Sequence, residues 1–442
     1  MAIKKSFLSN ATGVFITQVT VYAIGMIAGI VLNRNLGPGG RGLIAALMVY
    51  PLAIFSIAEM GIRQAAVYYI GKKEHSENVI IGIIYFLLLF TSVTGMGICF
   101  GILTLLHNPD FTLPLKLTAI LIIPVKLCIS YSSAYFLGRE QIGRFNRVQW
   151  ISQLFYLAMI CLLLWYLKTG VIGGLIAVIV STGFTAAYAV SMVVKSVKNI
   201  RLRFDWAIIK KMLSLGIIYA LSLFVMQMNY RIDIMIMERL TDKVQIGLYN
   251  TGVSMVELLW FLPTALGTVI FSKSVNAKDD HAFSIKIGKL LRVSFIAVFL
   301  AGTALFIVAP FIVPLMFGKA FDTSALVVQT LMPGVVFFTI YKVLGMDIAG
   351  KGKPWVSILV MIPAVILNVV LNIYLVPKYG AIGASYSSTI SYSLASIIYL
   401  PAYAKVVGVP VKTLITYKTS DFEFLKKFKI FARFGGMLNK SS

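Results

Sequence analysis

The chain has 442 residues, of which 59% are hydrophobic and only 13% are charged. Soluble globular domains carry about 25% charged residues, so this composition excludes an ordinary soluble domain. The net charge of +24 would suit nucleic-acid binding, but the lysines and arginines lie in short segments between apolar stretches rather than on one amphipathic face. We therefore predict a membrane protein whose positive charges follow its topology.

Two features near the start and inside the apolar segments support this interpretation. The apolar run over 11–32 is too long for the core of a signal peptide, so we interpret it as an uncleaved first helix. Cys99, Cys128 and Cys161 lie inside apolar segments without metal-ligand spacing. They are predicted to be small packing residues, with no disulfide framework.

Stretches of about 20 apolar residues, the length that a helix needs to cross a bilayer, recur along nearly the whole chain. They predict an all-α polytopic membrane protein with about 12 transmembrane helices. The predicted spans are 10–33, 43–70, 79–106, 113–137, 148–167, 171–194, 213–238, 246–271, 289–316, 323–349, 355–376 and 381–404. An even number of crossings places both termini on one side of the membrane.

The loops on the two sides of the membrane differ sharply in positive charge. Of the 40 lysines and arginines, 28 fall on the side of the termini and eight on the other side, including Arg41 in the loop after the first helix. Positively charged loops remain in the cytoplasm, so we expect a protein of the cytoplasmic (inner) membrane with both termini cytoplasmic. The remaining four cations, Arg63, Lys126, Arg231 and Lys342, fall within or near the predicted helices.

An internal repeat divides the predicted helices into two groups of six. Three glycine-containing segments recur in the same order at offsets of 205 to 212 residues. The pairs are Gly42-Leu43 with Gly247-Leu248, Gly138-Arg139 with Gly350-Lys351, and 167–174 with 377–384. Because six crossings preserve orientation, we predict parallel repeats related by an axis along the membrane normal, as seen in transporters.

The repeat and the polar stretch at 195–211 predict the domain organisation. We expect an N-terminal six-helix lobe over 1–200, a C-terminal six-helix lobe over 201–404 and a basic cytoplasmic tail over 405–442. The tail alternates phenylalanines with lysines, which predicts an amphipathic helix on an anionic lipid surface or a frayed end.

Several segments resemble a known family. In the seventh and eighth helices they are 231–234, beginning with Arg231-Ile232-Asp233, then 246–250 and 257–263. The segments 36–42 after the first helix and 315–318 with Phe321 after the ninth are also similar. Over about 10–404 the chain resembles the polysaccharide repeat-unit flippases (Wzx type) of the multidrug/oligosaccharidyl-lipid/polysaccharide (MOP) exporter superfamily.

The resemblance implies a fold and an activity. The fold is two six-helix lobes in a V around a central cavity, as in MATE transporters. The activity is to flip an undecaprenyl-pyrophosphate-linked oligosaccharide repeat unit across the cytoplasmic membrane by alternating access, for surface polysaccharide such as O-antigen of lipopolysaccharide or capsule. The implied partners are this lipid-linked oligosaccharide, membrane lipids and polysaccharide polymerase machinery, with no nucleic acid and no cofactor. Coupling to H⁺ or Na⁺ is an open alternative.

Four intramembrane cations are candidates for binding the pyrophosphate: Arg63, Lys126, Arg231 and Lys342. Ionisable groups in a bilayer are costly, and they usually face a cavity or a partner. The alternative for Arg63 is a self-neutralised pair with Glu59, four residues earlier on the same helix. The alternative for Lys126 and Lys342 is that they extend to the membrane interface.

Acidic residues are candidates for coupling or gating. On the seventh helix, Gln227 and Arg231 share one face while Asp233 lies roughly opposite. Asp233 matches the acidic position of the family pattern, so it is predicted to be structural or gating, and Arg231 is predicted to face the cavity. Glu257 has no cation three or four residues away, which makes it a candidate proton or cation site. The alternative is a salt bridge from Glu257 to Arg231.

The coupling or gating group is therefore Glu59, Asp233 and Glu257, and the polar cavity group is Gln18, Tyr22, Gln227 and Asn250. Gln18 and Tyr22 share a stripe of the first helix with two glycines, which also suits close helix packing.

Three rival functions were weighed against the flippase. A membrane glycosyltransferase or polymerase needs convergent acid–base residues in an extramembrane loop. Here the loops are short, and His75, His107 and His281 are far apart in the sequence. We therefore predict that the chain is not an enzyme. The nearer rivals are a cation-coupled multidrug antiporter and a lipid II flippase of the same superfamily. A multidrug antiporter is expected to have a cavity with few net cations. Lipid II flippases typically carry two further C-terminal helices.

Overall fold

The structure, a computed structural model, describes residues 2–418 and 421, except 74, 140, 276, 278 and 354. Side chains are described from Val19 onward, except at 142, 215, 218, 219, 222, 223, 226, 268, 272 and 275. Within these residues the chain forms helices joined by short turns, and it contains no β-strand.

Seven helices form the N-terminal half. They are α1 (Ala2–Ala58), α2 (Ile62–Lys72), α3 (Glu77–Leu105), α4 (Leu113–Ile120), α5 (Ile122–Gly138), α6 (Ile142–Ile160) and α7 (Gly170–Ser196). Seven more form the C-terminal half. They are α8 (Trp206–Leu240), α9 (Lys243–Val256), α10 (Phe261–Val275), α11 (Asp280–Phe317), α12 (Asp322–Gly350), α13 (Trp355–Val407) and the short α14 (Val411–Ile415).

The two longest helices each contain one sharp kink. In α1 the kink lies at Gly37, with φ 62°, and in α13 it lies at Gly380, with φ 53°. Both values fall in the left-handed region, which glycine adopts without a steric penalty. Each kink joins two membrane-length arms, so the loops predicted between the first and second helices and between the last two are kinks instead.

The predicted crossings all map onto helices. Among the described residues, nine helices are long and apolar enough to cross a membrane, and two of these are the kinked α1 and α13 with two arms each. The 35-residue α8, whose side chains are described only in part, accounts for the remaining predicted crossing. The chain is therefore an all-α polytopic membrane protein, as the sequence predicted.

Four predicted spans are interrupted, and in the fourth span α4 and α5 meet at Leu121. The second consists of the distal arm of α1 and α2, separated at Met60 and Gly61, which have φ values of 48° and 66°. The eighth consists of α9 and α10 with one 3₁₀ turn between them, at Glu257–Trp260. The fifth ends in the π-helical segment Cys161–Tyr166. Such interruptions free backbone groups, which in a membrane must be satisfied within the protein.

The residues of the internal repeat make equivalent contacts in the two halves. Gly138 at the end of α5 packs on Ile70 of α2, and Gly350 at the end of α12 packs on Ser274 of α10. Another pair of the repeat, Gly42 and Gly247, brings its two members directly against each other. The repeat predicted from sequence thus relates positions with similar surroundings, while the boundary at 200 stays a prediction.

The segment after α13 folds back onto the C-terminal half. We call residues 409–418 and 421 the strap. Leu414 of the strap is fully buried and contacts α11 beside Gly288. Arg292 of α11 donates from Nε and Nη2 to the Asp421 carboxylate at 2.7 and 2.9 Å. The start of the predicted tail is therefore packed against the protein. The amphipathic pattern over 422–442 lies outside the described residues.

Candidate functional site

The two halves meet closely at one end of the molecule. Gly42 and Gly247 bring α1 and α9 together so tightly that a Cβ on either residue would collide with the backbone of the other helix. Beside them Arg34 donates from Nε to the Met316 carbonyl oxygen at 2.8 Å and from Nη2 to that of Leu315 at 2.6 Å. The guanidinium thereby satisfies free carbonyls at the end of α11.

Further polar contacts join the halves at the same end. Glu238 accepts from the Tyr50 hydroxyl at 3.0 Å and from Asn108 Nδ2 at 2.7 Å. Lys243 Nζ lies 2.9 Å from Asp110 Oδ1. We call this set, centred on Gly42 and Gly247, the gate. In the predicted topology it lies on the extracytoplasmic side.

A cavity lies between the halves below the gate. It has two adjoining chambers, of 360 and 460 Å³, which share Val21, Tyr22, Gln149 and Glu257. The smaller, the Lys342 chamber, is also lined by Phe145, Asn146, Tyr230, Trp260, Phe261, Thr264 and Lys342. The larger, the Arg41 chamber, is also lined by Gly25, Met26, Gly29, Asn33, Arg41, Gln153, Thr251, Ser254, Met255, Leu258 and Phe317.

Lys342, one of the four predicted cations, lines the smaller chamber. Its Nζ lies 4.4 Å from the centroid of the Trp260 ring and 5.2 Å from that of Tyr230. A third ring, Phe338, lies 5.9 Å away. Aromatic faces attract a cation, so these rings hold the ammonium group in the cavity, and no carboxylate of the described residues lies within 4.0 Å of it.

Glu257, predicted as a coupling residue, lines both chambers. It begins the 3₁₀ turn between α9 and α10. Its carboxylate interacts electrostatically with Lys342 and with Tyr22. Within the described part of the chain, no lysine or arginine lies within 4.0 Å of Glu257, so the alternative salt bridge to Arg231 is not formed.

Arg41 is a cavity cation that sequence reasoning missed, because it was assigned to a loop. The kink at Gly37 keeps the chain helical through Arg41 and turns this residue into the larger chamber. In the amide orientation that its neighbours favour, Asn250 accepts from Arg41 Nε and Nη2 at 3.2 Å each. No carboxylate lies within 4.0 Å of Arg41 among the described residues. The available signal was the Gly-Pro-Gly-Gly sequence preceding it.

Arg231 and Lys126 lie near the cavity but do not line either chamber. Arg231 follows Tyr230, which lines the Lys342 chamber, and its charge interacts with those of Tyr22 and Arg41 in the cavity lining. Lys126 Nζ lies 5.7 Å from the centroid of the Phe55 ring. Of the four predicted cations, these two are therefore not in the lining of either chamber, and their role in binding stays a prediction.

Arg63 also lies outside the lining of both chambers. Its Nε is 3.2 Å from Glu59 Oε1, and Ser130 Oγ donates to the same oxygen. Glu59 precedes the break at Met60 and Gly61, and Arg63 follows it. The self-neutralised pair, left open by the sequence, is the arrangement found, and it spans a helix break.

Asp233 is fully buried inside the C-terminal half, away from the cavity. Its Oδ2 accepts from the Tyr249 hydroxyl at 2.7 Å and from Ser388 Oγ at 2.8 Å, and its Oδ1 accepts from Asn372 Nδ2 at 2.7 Å. In the described part of the chain no cation pairs with Asp233. The Oδ1 atoms of Asn372 and of Asn229, one turn before Asp233, have no hydrogen-bond partner.

The predicted polar cavity residues lie in different surroundings. Tyr22 lines both chambers and meets Phe261 edge to face, with ring centroids 3.9 Å apart. Asn250 is buried beside Arg41. Gln227 is exposed and lines neither of the two chambers, so its assignment to the cavity stays a prediction. Gln18 lies outside the residues whose side chains the structure describes.

Three amides of α6 line the cavity and were not predicted. Asn146 lies in the Lys342 chamber, Gln153 in the Arg41 chamber and Gln149 in both. Their spacing of three and four residues places them on one face of the helix. This stripe of amides in an otherwise apolar segment was the signal that could have identified them.

Solved structures share this architecture. A lipid II flippase, MurJ, in an inward closed conformation superimposes with a TM-score of 0.71 at 15% identity, covering 91% of this chain and 89% of MurJ. An inward-facing multidrug resistance transporter of the MATE family, in the MOP superfamily, gives 0.69 at 15% identity, covering 89% of this chain and 98% of the transporter. At such identities the likeness shows the fold.

Two of the relatives in sequence carry names that refer to O-antigen and to capsular polysaccharide. A Shigella flexneri protein that carries the name O-antigen transporter is 23% identical over 432 residues, 92% of this chain and 99% of that protein. The capsular polysaccharide biosynthesis protein CapF of Staphylococcus aureus is 26% identical over 215 residues, 47% of this chain and 54% of CapF.

A family model for polysaccharide biosynthesis proteins matches residues 31–326, which include the kink of α1, the gate and most of the cavity lining. This match confirms the resemblance found in the sequence. The chain belongs to the polysaccharide biosynthesis protein family, and its fold is that of the MOP exporter superfamily.

Proposed function

We propose that the protein flips an undecaprenyl-pyrophosphate-linked oligosaccharide across the cytoplasmic membrane by alternating access. Its two halves rock about the cavity, the headgroup enters the cavity, and the prenyl tail stays in the lipid. Both termini are cytoplasmic in this proposal, so the closed gate faces outward.

The observation that carries the proposal is the charge of the cavity. Lys342 and Arg41 line its two chambers, and Arg231 lies beside them, whereas Glu257 is the acidic residue in the described lining. The excess of cations suits a diphosphate, for which arginine and lysine are the usual ligands. It opposes a cationic drug, which is the substrate class that the antiporter alternative would require.

The test replaces Arg41 and Lys342 singly by Gln in cells that depend on this protein for surface polysaccharide. A hydrogen bond to a charged group contributes about 1.5 to 3 kcal/mol, so each change should lower export about tenfold or more. The measurements are surface polysaccharide by immunoblot and the lipid-linked repeat unit accumulating in the inner membrane.

Matched controls are Arg144→Gln and Lys319→Gln, which remove exposed cations outside the cavity. They should leave export unchanged at equal protein level. Normal export by both cavity variants would rule out the proposal, and so would lost export without accumulation of the lipid-linked unit.

A further inference from the structure

The segment that joins the two halves carries a high density of positive charge. We call residues 195–211, from the end of α7 to the first turns of α8, the linker. It holds six exposed lysines and arginines and one acidic residue, Asp205. Asp205 accepts from the Ile208 amide nitrogen in α8 and lies 3.8 Å from Arg203 Nη2. Among the described residues, no carboxylate lies within 4.0 Å of the other five cations. The linker therefore presents an excess of positive charge to its surroundings.

The middle of the linker has an extended backbone that crosses α3. The Arg201 carbonyl oxygen lies so close to Gly82 that a Cβ there would collide with it. The Arg203 amide nitrogen donates to the Gly82 carbonyl oxygen at 3.3 Å. In an extended chain, backbone groups two residues apart point the same way, and successive side chains point to opposite faces. The two arginines therefore share one face of the linker, and Leu202 and Phe204 share the other.

The crossing point lies near one end of α3. Gly82 is within the first two turns of this 29-residue helix. An α-helix of that length spans about 44 Å, whereas the hydrocarbon core of a bilayer is about 30 Å thick, so the first turns of α3 lie at the depth of the lipid headgroups. In the predicted topology this is the cytoplasmic end. The linker therefore runs along the cytoplasmic headgroup layer.

The apolar face of the linker adjoins side chains that face the lipid. The Phe204 ring centroid lies 5.5 Å from that of Phe86 on α3 and 6.4 Å from that of Trp206. More than half of each of Leu202, Phe204 and Trp206 is exposed. Phe86 begins a stripe of α3 whose further members are apolar and exposed, namely Leu89, Phe90 and Val93. Aromatic rings are enriched where acyl chains meet headgroups, so this face of the linker suits the edge of the hydrocarbon core.

We propose that the linker binds anionic phospholipid of the cytoplasmic leaflet, with its arginines on the headgroup and its aromatic rings against the acyl chains. Arginine binds phosphate oxygens through paired hydrogen bonds, and each further cation near the surface adds to the attraction. The apolar face favours a lipid over a soluble anion, which has no acyl chains to cover it. No linker residue lines either chamber of the cavity, so the proposal is independent of the transported substrate.

The surface has a consequence for the molecule because the linker is the covalent connection between the two halves. A lipid bound there holds this connection at a fixed depth in the leaflet. The halves then move about a joint that is anchored to the membrane.

The experiment measures which lipid surrounds the linker in the full-length protein. A fluorophore is attached to the Ala207→Cys variant, in a background without native cysteines, because Ala207 is exposed beside Trp206. The protein is reconstituted in phosphatidylcholine vesicles in which a fixed minor fraction of the lipid is brominated and quenches the fluorophore. The brominated lipid is either phosphatidylglycerol or phosphatidylcholine. The ratio of the two quenching constants gives the preference for anionic lipid, and we expect phosphatidylglycerol to quench more strongly.

Arg201→Gln should lower this preference about fivefold, which is the contribution of one cation near an anionic surface. Phe204→Ser should weaken quenching by both lipids, because the linker loses apolar contact with the bilayer. The matched control is Lys319→Gln, which removes an exposed cation on the opposite side of the membrane in the predicted topology. It should leave the preference unchanged.

Equal quenching by the two brominated lipids in the labelled parent protein would overturn the proposal, and so would an unchanged preference in Arg201→Gln. An equal loss of preference in Lys319→Gln and Arg201→Gln would also overturn it, because net charge rather than the linker would then decide. Inorganic phosphate should relieve the quenching no more than sodium chloride of the same ionic strength. A larger effect of phosphate would assign the arginines to a soluble anion instead.

Discussion

At the scale of single residues, intramembrane charge alone did not identify the cavity. Arg63 and Lys342 were equivalent candidates in sequence, but Arg63 pairs with Glu59 across a helix break while Lys342 rests among aromatic rings in the cavity. The difference lies in the partners that the fold supplies. A cation with a buried carboxylate beside it is neutralised, and one held by ring faces keeps its charge for a ligand.

Asp233 gives a prediction at this scale. Its carboxylate is surrounded by hydroxyl and amide groups without a cation, and unpaired amide oxygens lie close by. We propose that a proton or Na⁺ binds here and couples transport to its gradient. A ligand at about 100 times its dissociation constant stabilises the folded state by about 2.7 kcal/mol. Unfolding in detergent should therefore depend on pH or Na⁺, and Asp233→Asn should remove that dependence.

If the role of Asp233 is purely structural, the same experiment gives another result. Asp233→Asn would then lower stability, while the response to pH and Na⁺ would stay as in the unaltered protein. Glu77→Gln is a suitable control, since this partly exposed carboxylate at the start of α3 pairs with Arg139.

At the scale of elements, most of what hydrophobic periodicity could not predict lies at the interruptions of the helices. The kink at Gly37 turns a presumed loop into helix and brings Arg41 into the cavity, and the 3₁₀ turn at Glu257 interrupts the eighth span. Hydrophobic periodicity reports which segments are buried. It does not report where a buried helix bends, because the freed backbone groups find partners in other helices.

The strap gives a prediction at the element scale. Arg292 holds the pKa of Asp421 below its usual range through direct hydrogen bonds. A carboxylate with a depressed pKa stabilises the docked state above its ordinary pKa, near 3.9, and the stabilisation is lost as pH falls through the depressed value. A fluorophore attached to the Lys412→Cys variant should show a docked strap from pH 7 down to about pH 4. The strap should undock only below that pH.

Asp421→Asn should shift the docking equilibrium about tenfold or more toward the undocked state already at pH 7, because the charge-assisted pair is lost. Undocking of the unaltered strap with a midpoint at or above about pH 6 would contradict the assignment.

At the scale of the whole molecule, the structure is one state of a proposed cycle, with the gate closed. Gly247→Ala should open it, since a Cβ at this position collides with the Pro38 carbonyl oxygen. Overpacking costs about 1 to 3 kcal/mol, enough to shift the two-state equilibrium about tenfold or more. The measurement is labelling of Ser254→Cys, in a background without native cysteines, by an impermeant maleimide applied from the gate side.

Gly101→Ala is the matched control, because a Cβ at Gly101 meets no atom within 4 Å. It should leave the labelling rate unchanged. Equal labelling rates in the Gly247→Ala and unaltered proteins, at equal folded yield, would show that Gly42 and Gly247 do not form the moving contact.

The sequence by itself determined the class of the molecule. Apolar runs of bilayer length, cation-rich loops and a repeat near 205 to 212 residues specified a duplicated polytopic helical protein, because each of these is a local property of the chain. The segments around Asp233 and Glu257 were enough to predict the family.

Only the tertiary structure decided which polar groups share the cavity. Arg41 and Lys342 are 301 positions apart in the chain, and they line adjoining chambers because the two halves pack around one gate. Whether a buried charge binds a ligand or a neighbour depends on the groups that long-range packing places within a few ångströms. No local pattern contains that information, so Arg41 was missed and the two alternatives for Arg63 stayed open until its pair with Glu59 was seen.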